Sequence, residues 1–342
     1  MIPAMSGPSA RVPVDVLLDA DLPDIPRAVA ELTEAGADGL FTFEGPRDPF
    51  LPLAVAATVP SRALLYPNLA IALPRSPMNL AQLAWDLQRA STGRFLLGLG
   101  TQVRRHIVDR YGARWESPVE QLGEWLAALR AIMSAWQRRE PLQFEGRWTR
   151  HTYLPPLFDP GPIPAGPPPI VIGAVGPRML RMATRVADGV LIHPFSTERT
   201  LREHTLAAID RGLDEAGRDR SSFHVVGQAM VAVGRDEAEL EAATVRARGQ
   251  VGFYASTPAY RVMLDVHGWG ELQPTLHSLV REQRWSELAA QVPPDVLDAF
   301  VCRGAPRDVA EQLRRRSDRV DRLALSLFAS PAARLELLDA LR

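Results

Sequence analysis

Short apolar runs alternate with amphipathic helices along nearly the whole chain, and that rhythm leaves few folds open. Strands are read at 14–18, 40–43, 64–73, 95–99, 170–172, 190–192, 225–233 and 323–328. Helices are read at 25–35, 51–58, 77–91, 121–137, from Pro177, and at 201–216, 236–250, 306–316 and 331–341. Strands this apolar need both faces covered, which a parallel sheet wrapped by helices provides. Eight strand–helix units therefore spell a (β/α)8 barrel, a fold that runs to about 250 residues or more. The 342 residues leave room for insertions within a single domain, 1–342.

Three stretches carry the extra length. LQFEGRWTRHTYL reads as a small hairpin, and the Pro/Gly-rich segment 155–169 as an ordered surface crossing. Residues 251–303 break the rhythm with aromatic and helical pieces, and are expected to form a helical lid over part of the C-terminal face.

Composition narrows the chemistry. The net charge is −1, so no general attraction to nucleic acid or an anionic membrane is expected. All 39 basic residues are arginine, which excludes a Schiff-base, Walker or general-base lysine. Cys302 is the single cysteine and reads as a small core residue, and no intrachain disulfide is possible. The N-terminus lacks the apolar core of a signal peptide, and no apolar run reaches membrane-spanning length, so a cytoplasmic protein is expected. The histidines show no H-x-x-x-H or H-E-x-x-H spacing, so no metal site is expected, and no G-x-S-x-G elbow is present.

One unit carries a functional signal. PIVIGAVGPRMLRMATRVADGVLIHP is a strand, a small-residue turn, a helix opening at Pro177 and a second strand. Free N–H groups and the positive end of the helix dipole converge on such a turn, and phosphate is the usual guest. Gly173 and Gly176 do not make a G-x-G-x-x-G fingerprint, and many Gly-rich βα turns bind nothing. Both readings stand on the turn alone.

LPRSPMNLAQLAWDLQRASTGRFLLGLGTQV (73–103) resembles the third strand, third helix and fourth strand of the luciferase-like flavin monooxygenases, a superfamily that includes coenzyme F420-dependent reductases and dehydrogenases. IGAVGPRMLRMATRVADGVLIHP is similar to their phosphate-binding βαβ unit. FYASTPAYR and HGWG resemble a mycobacterial-type, F420-dependent subgroup. The resemblance implies a deazaflavin (coenzyme F420), with FMN as the alternative, held at the barrel mouth. It implies phosphate contacts at Gly173, Ala174, Val175 and Gly176, with Arg178 either adding charge or lying on a solvated face. It implies a non-proline cis peptide near Leu69-Ala70 supporting the ring, and Thr101 and Gln102 at the ring's carbonyl edge. With F420 the reaction is hydride transfer to or from a small organic substrate. With FMN it is a monooxygenation, served by a separate flavin reductase. A homodimer is also implied, and a barrel that binds cofactor without catalysis is the non-enzymatic alternative.

The chain departs from the sugar-phosphate dehydrogenases of that family. Where they carry Asp-His after the second strand, Glu44-Gly45 stands here, and their fourth-strand Glu falls near Val103. Their acid–base dyad is therefore absent. Two catalytic candidates remain. Glu44 either acts directly or pairs with Arg47 to order its loop. His193 bonds the cofactor, protonates substrate, or caps the end of its strand. Phe43, Tyr254 and Trp269 are read as pocket walls or packed lid residues.

Overall fold

The computed structural model describes residues 11–317 and 319–342. Its strands are β1 (Val14–Leu17), β2 (Gly39–Thr42), β3 (Leu64–Pro67), β4 (Ala70–Ile71), β5 (Leu97–Gly100), β6 (Phe144–Glu145), β7 (Arg150–His151), β8 (Ile170–Ala174), β9 (Gly189–Ile192), β10 (His224–Val233), β11 (Val301–Gly304) and β12 (Arg322–Phe328). The main helices are α1 (Ile25–Glu34), α2 (Phe50–Ala57), α3 (Pro77–Ala90), α4 (Pro118–Arg138), α5 (Pro177–Val186), α6 (Ala207–Ala216), α7 (Glu237–Ala255), α8 (Leu272–Arg281), α9 (Pro294–Phe300), α10 (Pro306–Arg316) and α11 (Pro331–Ala340). Strands β6 and β7 pair as the expected hairpin.

The remaining strands pair in parallel in the order β3-β2-β1-β12-β10-β9-β8-β5-β4. A parallel bridge from Leu65 to Phe95 joins the two ends of that path, so β3 and β4 act as two halves of one barrel position. The expected eight-unit barrel is what forms, with two corrections. The third strand, expected unbroken over 64–73, is interrupted at Asn68-Leu69, where the peptide is cis, one bond before the expected Leu69-Ala70. Residues 301–303, expected within the helical lid, belong to β11. Strand β10 pairs with β9 only through His224–Val226, and β11 takes up its edge from Met230 to Val233.

The cores follow from this geometry. Phe41, Leu64, Tyr66, Leu96, Val171, Leu191, Val226 and Ala324 fill the barrel interior. The outer faces of the strands pack on the surrounding helices. The insertion between β10 and β12 has its own core, built on Phe195, Met230, Val251, Leu264, Leu276, Phe300 and Val301. Helix α3 starts as its sequence dictates: the Ser76 side chain accepts from the Met78 amide, with Pro77 at the first helical position. Among the described residues no helix is long and apolar enough to cross a membrane.

One buried polar cluster ties the first, third and last barrel positions together. Asp15 on β1 is fully buried. Its carboxylate accepts from the Tyr66 hydroxyl at 2.7 Å, from Arg322 Nε at 2.9 Å and from Arg322 Nη2. The carboxylate leaves no space beside it, since a Cβ on Gly39 would lie 2.3 Å from Asp15 Oδ1. Burial, followed by the neighbouring Asp15 charge, raises the Tyr66 phenol well above its ordinary range, so Tyr66 remains a donor. Removing one partner of such a buried pair typically costs about 3–5 kcal/mol, because the other charge is left uncompensated. Asp15→Ala is expected to lose that much in denaturant unfolding, and a loss below about 1 kcal/mol would contradict the assignment.

Candidate active site

Strand alternation selects the side chains that face the C-terminal mouth. Phe41, Leu191 and Val226 lie in the barrel interior, so Phe43, His193 and Gln228 share their faces one step further along each strand. The glycines of the fourth and fifth positions make room for the interrupted third strand. A Cβ on Gly98 would lie 2.0 Å from the Pro67 carbonyl oxygen. A Cβ on Gly100 or Gly173 would lie 2.8 or 2.2 Å from the Leu69 side chain. Leu69 is thus seated over two adjacent strands, with Ala70 buried behind it.

Glu44 is the most heavily bonded residue at the mouth. Its side chain is 5 % exposed. It accepts from the Ile71 amide at 2.6 Å, from Arg75 Nη1 at 2.7 and 2.9 Å, and from the Tyr111 hydroxyl at 2.7 Å. Its ion partner is Arg75, not Arg47, which pairs with Asp21. Arg75 in turn donates to the Ile71 carbonyl, pairs with Asp48 and lies over the Phe50 ring. The carboxylate therefore locks β4 and the loop after β5 onto the end of β2. Burial, and then the bond to Glu44, raises the Tyr111 phenol, which stays a donor.

Asn68 and Gln228 meet across the mouth. Gln228 Nε2 donates to Asn68 Oδ1 at 3.0 Å. Asn68 Nδ2 is buried and has no partner among the described residues. In the loop after β5, Gln102 is left-handed, and its Oε1 accepts from the Val103 amide. Thr101 donates to the Gln102 carbonyl. Both side chains are turned into their own loop.

The Gly176 turn has the expected form. Gly176 is the N-cap of α5, no side chain caps that end, and nothing lies within 4 Å of where its Cβ would be. The helix therefore starts with its first-turn N–H groups open. Ala174 is buried, and the Val175 carbonyl meets His204 Nε2 at 3.3 Å. Arg178 is 77 % exposed on its side chain and committed to Glu120 at 2.5 Å, the solvated alternative of the two readings.

His193 sits between two phenols, its ring 4.7 Å from that of Tyr254 and 4.2 Å from that of Tyr260. Its Nδ1 accepts from the Phe195 amide at 3.1 Å. Burial pushes its pKa down to about 3 and those of Tyr254 and Tyr260 up to about 12, so all three are neutral at ordinary pH. Trp269 is not at this wall. It stacks on His267, whose ring bonds Thr197, and so it helps dock the insertion on the loop after β9. Phe43 is half-exposed at the mouth.

Sequence reasoning missed Arg75, Tyr111, Asn68, Gln228 and Tyr260. Two of these carried a signal. Asn68 in LLYPNLAIAL and Gln228 in VVGQAMVAV are lone amides inside apolar strands, and a buried amide needs a partner.

Similar proteins agree with this architecture. Residues 4–322 match the family model for luciferase-like monooxygenases. An uncharacterized protein of Mycobacterium tuberculosis is 43 % identical over 94 % of this chain and 95 % of its own length. A 5,10-methylenetetrahydromethanopterin reductase of Archaeoglobus fulgidus is 30 % identical over 71 % of this chain and 70 % of its own. The coenzyme F420-dependent tetrahydromethanopterin reductase of Methanopyrus kandleri superimposes with a TM-score of 0.76 at 19 % identity, over 97 % of this chain and 98 % of that one. The EDTA monooxygenase of Chelativorans does so at 0.74 and 16 %, covering 97 % and 92 %. These likenesses and the barrel mouth lead to one conclusion: the chain belongs to the luciferase-like monooxygenase family of flavin- and F420-dependent oxidoreductases.

Proposed function

We propose that the protein is an oxidoreductase that holds coenzyme F420 at the barrel mouth and transfers hydride to or from a small organic substrate. The observation that carries this reading is the pairing of two vacant donors around one mouth. The uncapped N-terminus of α5 suits a phosphate, and the buried, unpartnered Asn68 amide suits a ring carbonyl. A deazaflavin is favoured over FMN by two likenesses together: the Archaeoglobus methylenetetrahydromethanopterin reductase is similar in sequence, and the Methanopyrus tetrahydromethanopterin reductase that shares the fold is F420-dependent. FMN remains the second arm of the test.

A bound deazaflavin supplies two-electron hydride chemistry. The residues of this chain do the holding. Gly176 and the first turn of α5 would take the phosphate, and Leu69, braced over Gly100 and Gly173, would support a ring face. Glu44 acts through others in this scheme. By fixing the Ile71 amide, Arg75 and Tyr111 it sets where β4 and the loop after β5 stand.

The purified chain titrated with F420 and with FMN, followed by fluorescence, is expected to bind F420 more tightly. Binding of neither cofactor would overturn the reading. Gly176→Asp places a negative charge in open space, so the fold is expected to survive while F420 affinity falls about ten-fold or more, equivalent to ~1.4 kcal/mol. Unchanged affinity would remove the phosphate site. Glu44→Gln leaves Arg75 without its buried counter-charge and is expected to lower stability by about 1–3 kcal/mol. Amide exchange around Tyr111 and Ile71 is expected to quicken at the same time. A variant as stable as the parent would show that the cluster carries no positioning load.

A further inference from the structure

We propose that Arg110 is the anchor for an acid group on the substrate, and that the substrate is an organic carboxylate whose apolar body lies on the Phe43 ring. The inference rests on the oxidoreductase reading of the same mouth and names the class of molecule it takes.

Arg110 belongs to the loop after β5. It ends a widened turn over His106–Arg110, in which the Tyr111 amide bonds the His106 carbonyl five residues back at 3.0 Å. Single turns of this kind are frequent at functional sites. The Arg110 Nη2 donates to the Gly45 carbonyl, just past the end of β2. Its guanidinium carbon lies 5.1 Å from the centre of the Tyr111 ring, and Tyr111 is itself fixed by its 2.7 Å bond to Glu44. An exposed side chain is thus tethered at two points on the rim of the mouth.

The rest of the guanidinium is unspent. Among the described residues no carboxylate pairs with Arg110. The carboxylates on that rim are committed elsewhere. Glu44 is filled by Ile71, Arg75 and Tyr111. Asp48 accepts from the Phe50 amide at 2.8 Å and pairs with Arg75. Arg47 and Asp21 answer one another, and Asp109 faces Arg105. Taken together, the loop 101–117 and the Glu44–Arg75–Asp48 group it docks on hold five arginines against four carboxylates. Burial, then the charges of Arg110 and Arg105, push the His106 imidazole below its ordinary range, so His106 adds no charge to that count. One positive charge is left over, and it suits a monoanion.

An apolar surface stands beside that charge. A Cβ on Gly45 would lie 2.4 Å from the Phe43 ring, so the ring lies against the same residue whose carbonyl holds Arg110. Phe43 is 51 % exposed and has room on its outer face. A guanidinium takes a carboxylate through paired N–H bonds, with direction as well as charge. Cation and ring side by side therefore fit a carboxylate carried on an apolar or aromatic body. Arg110 binds and orients in this scheme, and the hydride chemistry falls on another carbon of the same molecule.

The test uses the full chain with 15N-labelled arginine, as isolated and loaded with F420, and titrates benzoate against its neutral counterpart benzamide. The Arg110 Nε–H signal is assigned by its absence in Arg110→Gln. Benzoate is expected to shift that signal and to bind at least about ten-fold more tightly than benzamide. Equal binding of the two in both states of the parent overturns the proposal and needs no variant to fold. Arg110→Gln, which keeps an N–H for the Gly45 carbonyl but no charge, is expected to lose the preference. Arg110→Lys, which keeps the charge but not the fork, is expected to retain part of it. A preference undiminished in Arg110→Gln overturns the proposal. F420 affinity is expected to be the same in Arg110→Gln as in the parent, and a ten-fold fall overturns the proposal by making the arginine a cofactor ligand. The failures stay separate: loss of F420 binding by the parent removes the cofactor reading, whereas the benzoate titration of the chain as isolated reports on Arg110 alone.

Discussion

Close approach across three missing Cβ atoms is the constraint on which this barrel depends. The third strand breaks between β3 and β4, and the break fits only because its neighbours are bare. Gly98 receives the Pro67 carbonyl, and Gly100 with Gly173 receives the Leu69 side chain. Any larger residue would push the break outward and open the seam between β3 and β5 that closes the barrel. The same packing places Asn68 and Leu69 at the mouth, so barrel closure and site construction are one event. The Gly-x-Gly of LLGLG is thus a packing requirement set by the adjacent strand.

Two polar clusters hold this arrangement from either end. Asp15, Tyr66 and Arg322 clamp the first, third and last positions within the barrel. Glu44 with Ile71, Arg75 and Tyr111 clamps the mouth. Each carboxylate is nearly or fully desolvated, and each has its acceptor positions filled by donors from distant parts of the chain. Such clusters are costly when half satisfied and specific when complete. The insertion adds a third element, bringing Tyr254 and Tyr260 against His193 and fixing itself to the loop after β9 through Phe195, Phe300 and His267.

Much of this was legible before any coordinates. Strand and helix periodicity located the eight units, because buried parallel strands and amphipathic helices leave different hydrophobic repeats. The helix opening at Pro177 was legible because a small-residue turn before a proline at the first helical position has few other uses. Less legible was the role of Glu44. Position alone made it a catalytic candidate, and its neighbour Arg47 the obvious partner. The real partners are 27 to 67 residues away, and no local pattern encodes them. The same holds for Arg178, whose charge is spent on Glu120, and for β11, too short to be told from the helical pieces around it.

The amino-acid sequence by itself determined the barrel, its helical wrapping, the phosphate-type turn and the absence of lysine chemistry. These follow from local periodicity, turn residues and composition, which each segment carries with it. Only the tertiary structure decided which polar groups are spent and which are free. Glu44 is consumed by Arg75, Ile71 and Tyr111, whereas Asn68 Nδ2 remains without a partner among the described residues. That distinction depends on contacts between residues far apart in the chain, and on the burial that makes an unpaired donor expensive.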